Sequence, residues 1–205
     1  MTILAGTILA ISTASPALSL ALCADDTVIA HDHRVIGRGH AEALMPAIAA
    51  LLADRAPPTA ILVDLGPGSF TGIRIGIAAA RALGLAWNVP VTGFSGAALV
   101  AARAFAERPG LAVVRVLLDG GRGQLLVSDW TADFGSGDTQ TLVAETVPRD
   151  LAMAGAGAAL LPNGFDIVHA DHPDTAFVLA LPPAQRLRPP VAHYIRPPDA
   201  ILPLG

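Results

Sequence analysis

Short, almost wholly apolar runs punctuate the front of the chain. Ile8 to Thr13 and Leu18 to Ala24 are two such runs separated by Ser15-Pro16, the pattern of buried strands joined by a turn. Asp25-Asp26 then turns the chain into a third strand, Thr27 to Arg34. Gly37 to Gly39 breaks the pattern, and Ala41 to Ala53 is an Ala/Leu-rich helix with Pro46 inside it, so that the helix either kinks there or becomes regular near it. Ala60 to Leu65 is a β-branched apolar strand, Gly66 to Thr71 a loop and Gly72 to Trp87 a helix. Pro90 to Phe94 and Gly96 to Glu107 repeat the strand-to-helix step. A three-strand meander followed by alternating units calls for a mixed sheet with helices on its faces.

The pattern restarts at Arg108-Pro109-Gly110. Ala112 to Leu118 and Gln124 to Trp130 predict a hairpin, Thr139 to Thr146 a further strand, and Pro148 to Met153 a helical turn. From Gly155 to Pro190, Ala, Gly and Pro dominate and the period is weak, which predicts one or two short elements among loops. The chain therefore divides into a lobe over 1–107 and a smaller one over 108–205, with the chain end free to pack back on the first.

Composition removes several chemistries. All 13 basic residues are arginine, so neither a Walker A lysine nor a Schiff-base amine exists. A net charge of −4 argues against this chain gripping nucleic acid alone, because that binding rests on cations displacing counterions. Cys23 is a single cysteine, and no Cys/His pair stands at zinc-ligand spacing, which fits a reducing cytoplasm and no metal. The apolar start superficially matches a lipoprotein signal at Leu20-Ala21-Leu22-Cys23. Yet its first basic residue is Arg34, a bulky leucine precedes Cys23, and Ser12, Ser15, Pro16 and Ser19 interrupt it, so strands are the better reading and no membrane span is expected.

Four places carry candidate chemistry. Gly66, Gly68 and Gly72 lie between a strand and a helix whose first amides are unpaired, an anion-friendly arrangement, although one residue too long for a dinucleotide fingerprint; a plain tight turn is the competing account. Gly93-Phe94-Ser95-Gly96-Ala97 departs from a nucleophile elbow only at Ala97, but Ser95 has no motif-bearing histidine and reads better as a helix cap. Asp119-Gly120-Gly121-Arg122-Gly123 is either a second phosphate loop or a hairpin turn. His40 and Glu42 lack a second histidine at helical spacing and read as polar residues at a helix start.

The helices carry a different message. Gly72, Gly76, Ala80 and Gly84 recur every fourth residue, leaving a stripe along which another backbone can approach, within this chain or from a partner. In the preceding helix Leu44, Ile48 and Leu51 mark one apolar face and Met45, Ala49 and Leu52 another, more than one sheet requires. Leu44, Met45, Ile48, Leu52, Gly72, Ile73, Gly76, Ala80 and Gly84 are thus candidates for a partner interface.

The stretch from Ile61 to Ala86, with GPGSFTGIRIG at its centre, resembles the bacterial tRNA threonylcarbamoyladenosine biosynthesis protein family TsaB, also called YeaZ. LAISTASPALSLAL from Leu9, GHAEALMPAI from Gly39 and YIRPPDA from Tyr194 to Ala200 agree in order and rough spacing. The resemblance implies an α/β, two-lobed actin-like (ASKHA, ribonuclease H-like) fold, with mixed sheets flanked by helices and a small second lobe. It also implies a scaffold without catalysis or cofactor of its own. Such a scaffold pairs with a TsaD-type catalytic subunit, which transfers threonylcarbamoyl to N6 of the adenosine beside the tRNA anticodon. A TsaE-type ATPase joins the assembly, tRNA is met only through the complex, and the isolated protein could pair with itself. In the family the two helices carrying the candidate interface bundle with their counterparts in the partner.

The departures fall in the phosphate loops. Ser12 stands where aspartate is usual, Ala41 where serine is frequent, and Asp119 to Leu126 reads DGGRGQLL, with Gln124 and Leu126 replacing glutamate and tyrosine. Ser12, Gly66, Gly68, Ser69, Asp119 and Gly121 are accordingly expected to be vestigial phosphate-loop positions. The rival expectation is an actin-fold ATP-dependent kinase or phosphotransferase using the same loops.

Overall fold

The computed structural model describes residues 6–195. Residues 196–200 of the terminal motif lie outside the described residues. Two sheets form the frame. The first holds β1 (Thr7–Ser12), β2 (Ala17–Ala24), β3 (Thr27–Val35), β4 (Ala60–Asp64) and β5 (Val91–Phe94), in the order β3-β2-β1-β4-β5. The meander is antiparallel, while β1 pairs with β4 and β4 with β5 in parallel.

Both faces of this sheet are covered, which is why β1, β2 and β4 read as nearly continuous apolar runs. Leu9 and Ile11 of β1 point to helices α1 (His40–Leu52) and α2 (Phe70–Trp87), together with Leu20, Leu44, Ile48, Ile61 and Ile73. Ile8 and Ala10 point the other way, to α3 (Gly96–Glu107). Edge strand β3 is half exposed and alternates accordingly. α1 runs through Pro46 without ending, and Glu42 occupies its first turn, where a carboxylate complements the helix dipole.

The second sheet has the order β8-β7-β6-β9, with β6 (Val113–Asp119), β7 (Gln124–Thr131), β8 (Gln140–Val143) and β9 (Ala152–Ala154). Its Val114, Val116, Leu126 and Trp130 pack on the far side of α3, so that helix is the shared core between the sheets. Leu117, Leu125, Val127, Val147 and Met153 close the opposite face.

Three expectations are corrected here. The strand over Thr139 to Thr146 stops at Val143, and Ala144–Thr146 is a 3-10 turn. The helical turn over Pro148 to Met153 does not form; Ala152–Ala154 instead pairs in parallel with Val114, Arg115 and Val116 of β6. Ala and Met favour helix locally, but the unpaired side of β6 takes hydrogen bonds from this segment, and tertiary pairing overrides propensity. α2 begins at Phe70 rather than Gly72, because Ser69 Oγ accepts from Gly72 N at 3.2 Å and caps it. Between Gly155 and Pro190 lie 3-10 turns at Ala156–Leu160 and Thr175–Ala180 and one short helix, α4 (Pro183–Arg186).

The segment after α4 returns to the first sheet. Gly93 and Arg188 exchange backbone hydrogen bonds, His193 N donates to Leu65 O, and Arg81 donates to Pro190 O. Arg74 stacks on Phe70 and donates to the Tyr194 hydroxyl. Among the described residues no helix is long and apolar enough to cross a membrane.

Candidate functional site

The carboxyl-terminal ends of β1 and β4 open onto a cleft of about 890 Å³ between the two sheets. Its walls include Ala14 to Pro16, Gly37 to Glu42, Pro67 to Gly72, Asp119 to Gly121 and Asp171 to Pro173, so both glycine loops noted in the sequence reach it.

Several of their amides are already committed. Gly66 N donates to Asp64 Oδ1 at 2.9 Å, Ser69 N to Ala14 O at 2.7 Å, and Gly72 N to Ser69 Oγ. In the other loop Gly121 N donates to Asp119 Oδ1, Gly120 N to Gln124 O and Gln124 N to Gly121 O. Asp119 thus builds its own hairpin turn. Gly68 owes its identity to close approach, since a Cβ there would meet Ala14 O at 2.2 Å.

Ser12 is fully buried and donates to Asp64 Oδ2 at 2.7 Å. Asp64 was not among the residues singled out from the sequence, where it reads as the polar end of an apolar strand. The parallel pairing of Ile11 with Val63 is what brings the two strand ends together. The carboxylate also accepts from the amides of Gly66 and Gly96, the latter at the start of α3, and a Cβ on Gly96 would meet Oδ2 at 2.5 Å. Burial pushes its pKa up to about 6 against the pull of these donors. Its oxygens are turned inward, away from the cleft, and it is 1% exposed. Ser95 occupies the cap position of α3 but makes no side-chain capping bond, so the helix start is organised by Asp64 rather than by the serine hydroxyl.

The stripe on α2 faces inward. Cβ atoms on Gly72 and Gly76 would meet Thr13 O at 2.1 Å and Thr13 Oγ1 at 2.6 Å, and one on Gly84 would meet Val91 at 2.4 Å. Thr13 Oγ1 donates to Gly72 O, a backbone approach that only glycine allows. Ile73 and Ala80 are buried beside them, as are Leu44 and Ile48 on α1. These seven residues of the candidate interface therefore belong to this chain's own core, because α2 packs directly on β1 and β4.

The remaining two lie at an outer surface. Met45 is 47% exposed, and with Ala49, Leu52, Leu83 and Trp87 it lines an apolar groove of about 290 Å³ between α1 and α2, with buried Ile48 at its base. Leu85, 86% exposed, lies on another side of α2 and outside the groove. Leu83 and Trp87, one turn apart on α2 and half-buried beside the glycine stripe, are groove residues that sequence reading missed.

Comparison with known proteins meets this geometry from several directions. Residues 32–160 match the family model described as TsaD, tRNA N6-adenosine threonylcarbamoyltransferase. The chain is 37% identical over 123 residues to the tRNA threonylcarbamoyladenosine biosynthesis protein TsaB of Bacillus subtilis, a match covering 58% of this chain and 52% of that one. It is 34% identical over 130 residues to TsaB of Escherichia coli, covering 62% and 55%. The matched stretch thus spans about half the length of these curated relatives. The structure of YeaZ from Pseudomonas aeruginosa superposes with a TM-score of 0.75 at 29% identity, over 85% of this chain and 89% of that one. Two mixed sheets flanked by helices, the cleft at their strand ends and these matches agree on one assignment: the chain has the actin-like ASKHA fold and belongs to the TsaB (YeaZ) family.

Proposed function

We propose that this protein takes part in tRNA N6-threonylcarbamoyladenosine synthesis as a non-catalytic scaffold that binds and stabilises a TsaD-type catalytic subunit in the cytoplasm. The observation that carries this reading is the apolar groove of Met45, Leu52, Leu83 and Trp87, on the solvent-facing side of the seam between α1 and α2. A surface of that kind costs free energy while it faces water and is stabilised when a partner helix covers it. The commitment of the Gly66, Ser69, Gly72 and Gly121 amides within the chain supports a scaffold over a kinase, since a phosphate would have to displace those bonds. In this reading a TsaE-type ATPase and tRNA join through the complex, and a homodimer of the isolated chain uses the same groove.

Size-exclusion chromatography of the protein mixed with a TsaD-type subunit tests it. A one-to-one complex that is lost in Leu83→Glu is the expected result. Isothermal titration of the isolated protein with Mg-ATP should show no micromolar binding; such binding would favour the kinase reading instead.

A further inference from the structure

Away from the cleft mouth and the groove, the structure assembles a group that sequence spacing did not reveal. His31 and His33 are two residues apart on β3, so both rings stand on one face of the sheet. That face meets the 3-10 turn Thr175–Ala180, and Asp174 caps the turn by accepting from Ala176 N at 3.0 Å. Asp174 Oδ1 also accepts from His31 Nε2 at 2.8 Å, and His33 Nδ1 stands 4.0 Å from the same oxygen. The ligand atoms of the three side chains all lie within 4.8 Å of one another.

His33 Nδ1 is the informative atom. It is buried without a hydrogen-bond partner, a costly state for a ring nitrogen. Its distance to Asp174 is too long for a hydrogen bond but within the span of two metal–ligand bonds of about 2.0–2.2 Å each. Burial lowers the pKa of His33 and so favours the neutral ring that metal binding requires, whereas the Asp174 hydrogen bond raises that of His31. Asp32, the acid between them in sequence, is paired with Arg34 and directed elsewhere.

We propose that His31 Nε2, His33 Nδ1 and Asp174 form a binding site for a divalent transition-metal cation of the zinc type. Two imidazoles and one carboxylate suit such an ion better than Mg2+, which prefers oxygen ligands in an octahedron. Binding replaces the His31 proton with the cation and satisfies the buried nitrogen of His33. Its mechanical effect is a clasp. Asp174 follows directly on Asp171, His172 and Pro173 of the cleft wall, and Thr175 is bonded to Ser19 of β2. An ion here therefore fixes one wall of the cleft to the edge of the first sheet.

The test is titration of the full chain with ZnCl2, after chelator treatment, followed by calorimetry and thermal unfolding. One ion per chain is expected, with the melting temperature raised by about 5–10 °C at a hundredfold excess over Kd, and no shift with MgCl2. Both effects should vanish in His33→Ala and His31→Ala and persist in His169→Ala. Nitrogen-15 histidine spectra of the unsubstituted chain read the ligands without any variant, so a misfolding substitution does not obscure the answer. Zinc-dependent shifts at His31 Nε2 and His33 Nδ1 are expected. Shifts confined to other histidines, unchanged binding in both His→Ala variants, or no binding would each overturn the proposal.

Discussion

Ser12 Oγ and Asp64 Oδ2 lie 2.7 Å apart at the buried ends of two parallel strands, the hydroxyl donating to the carboxylate. This pair, together with the Gly66 and Gly96 amides, holds the β1 turn, the β4 loop and the start of α3 at one point. Ser12 is thus part of an internal polar knot.

The knot has a pH signature. Asp64 has a folded-state pKa of about 6, above its ordinary 3.8, so the folded protein favours the protonated carboxyl and loses stability as pH rises between those values. The contribution is about 3 kcal/mol, present below pH 4 and lost above pH 6. Denaturant unfolding of wild type and Asp64→Asn should therefore differ with pH. The variant gains about that amount on the wild type between pH 4 and pH 7. A difference that stays constant would mean that Asp64 is already ionised in the folded protein across this range.

An aspartate at position 12 should do harm. Ser12→Asp places a second carboxylate against Asp64, which no cation contacts among the described residues, and like charges at that distance cannot both ionise. We expect a loss of about 3–5 kcal/mol at pH 7, partly recovered at pH 5, measured by urea unfolding. Ser12→Ala, which only removes one donor, should cost about 1–3 kcal/mol.

Gly72→Ala tests the direction of the α2 stripe. Alanine is the better helix former by about 1 kcal/mol, so a stripe reserved for a partner would be stabilised by it. Here the new Cβ would meet Thr13 O at 2.1 Å, a backbone atom that cannot yield without moving β1. A net loss of about 1–3 kcal/mol in thermal or chemical unfolding is expected. Gly84→Leu should likewise destabilise the isolated chain, through Val91.

Met45→Glu and Trp87→Ala address the outer groove. Neither side chain belongs to the fully buried core, so the melting temperature should move by only a few degrees. Affinity for a TsaD-type subunit should fall by about 30-fold or more, the loss typical of a central interface side chain, as read by calorimetry. Equal affinity with either variant would place the partner elsewhere.

In the second sheet Arg115 is 7% exposed and forms a two-pronged pair with Asp129 at 2.7 and 2.8 Å while also donating to Asp150 and Pro148 O. These bonds tie β7 and the 148–150 segment to β6. Arg115→Ala should lower unfolding stability by about 2–3 kcal/mol. Arg115→Lys should recover little of it, because an ammonium cannot reproduce the planar fork.

The first half of the fold was legible in the sequence because its elements are locally coherent. Short apolar strands, Ala/Leu-rich helices and glycine-marked turns agree with one another from Ile8 to Glu107. The second half was legible only as far as its hairpin. Ala152–Ala154 has no local preference for a strand and becomes one because β6 leaves a side unpaired.

By itself the sequence determined the family, through GPGSFTGIRIG and its spaced companions, and it excluded lysine chemistry outright. Tertiary structure decided which way each feature points. A four-residue repeat of small side chains has the same period whether it faces a sheet or a stranger, and packing against Thr13, Val63 and Val91 turned it inward. Asp64 joined Ser12 across 52 residues, and His31 met Asp174 across 143, because strand pairing and a returning chain brought them together. Contacts between residues so far apart leave no periodicity to read, so only the folded chain reveals them.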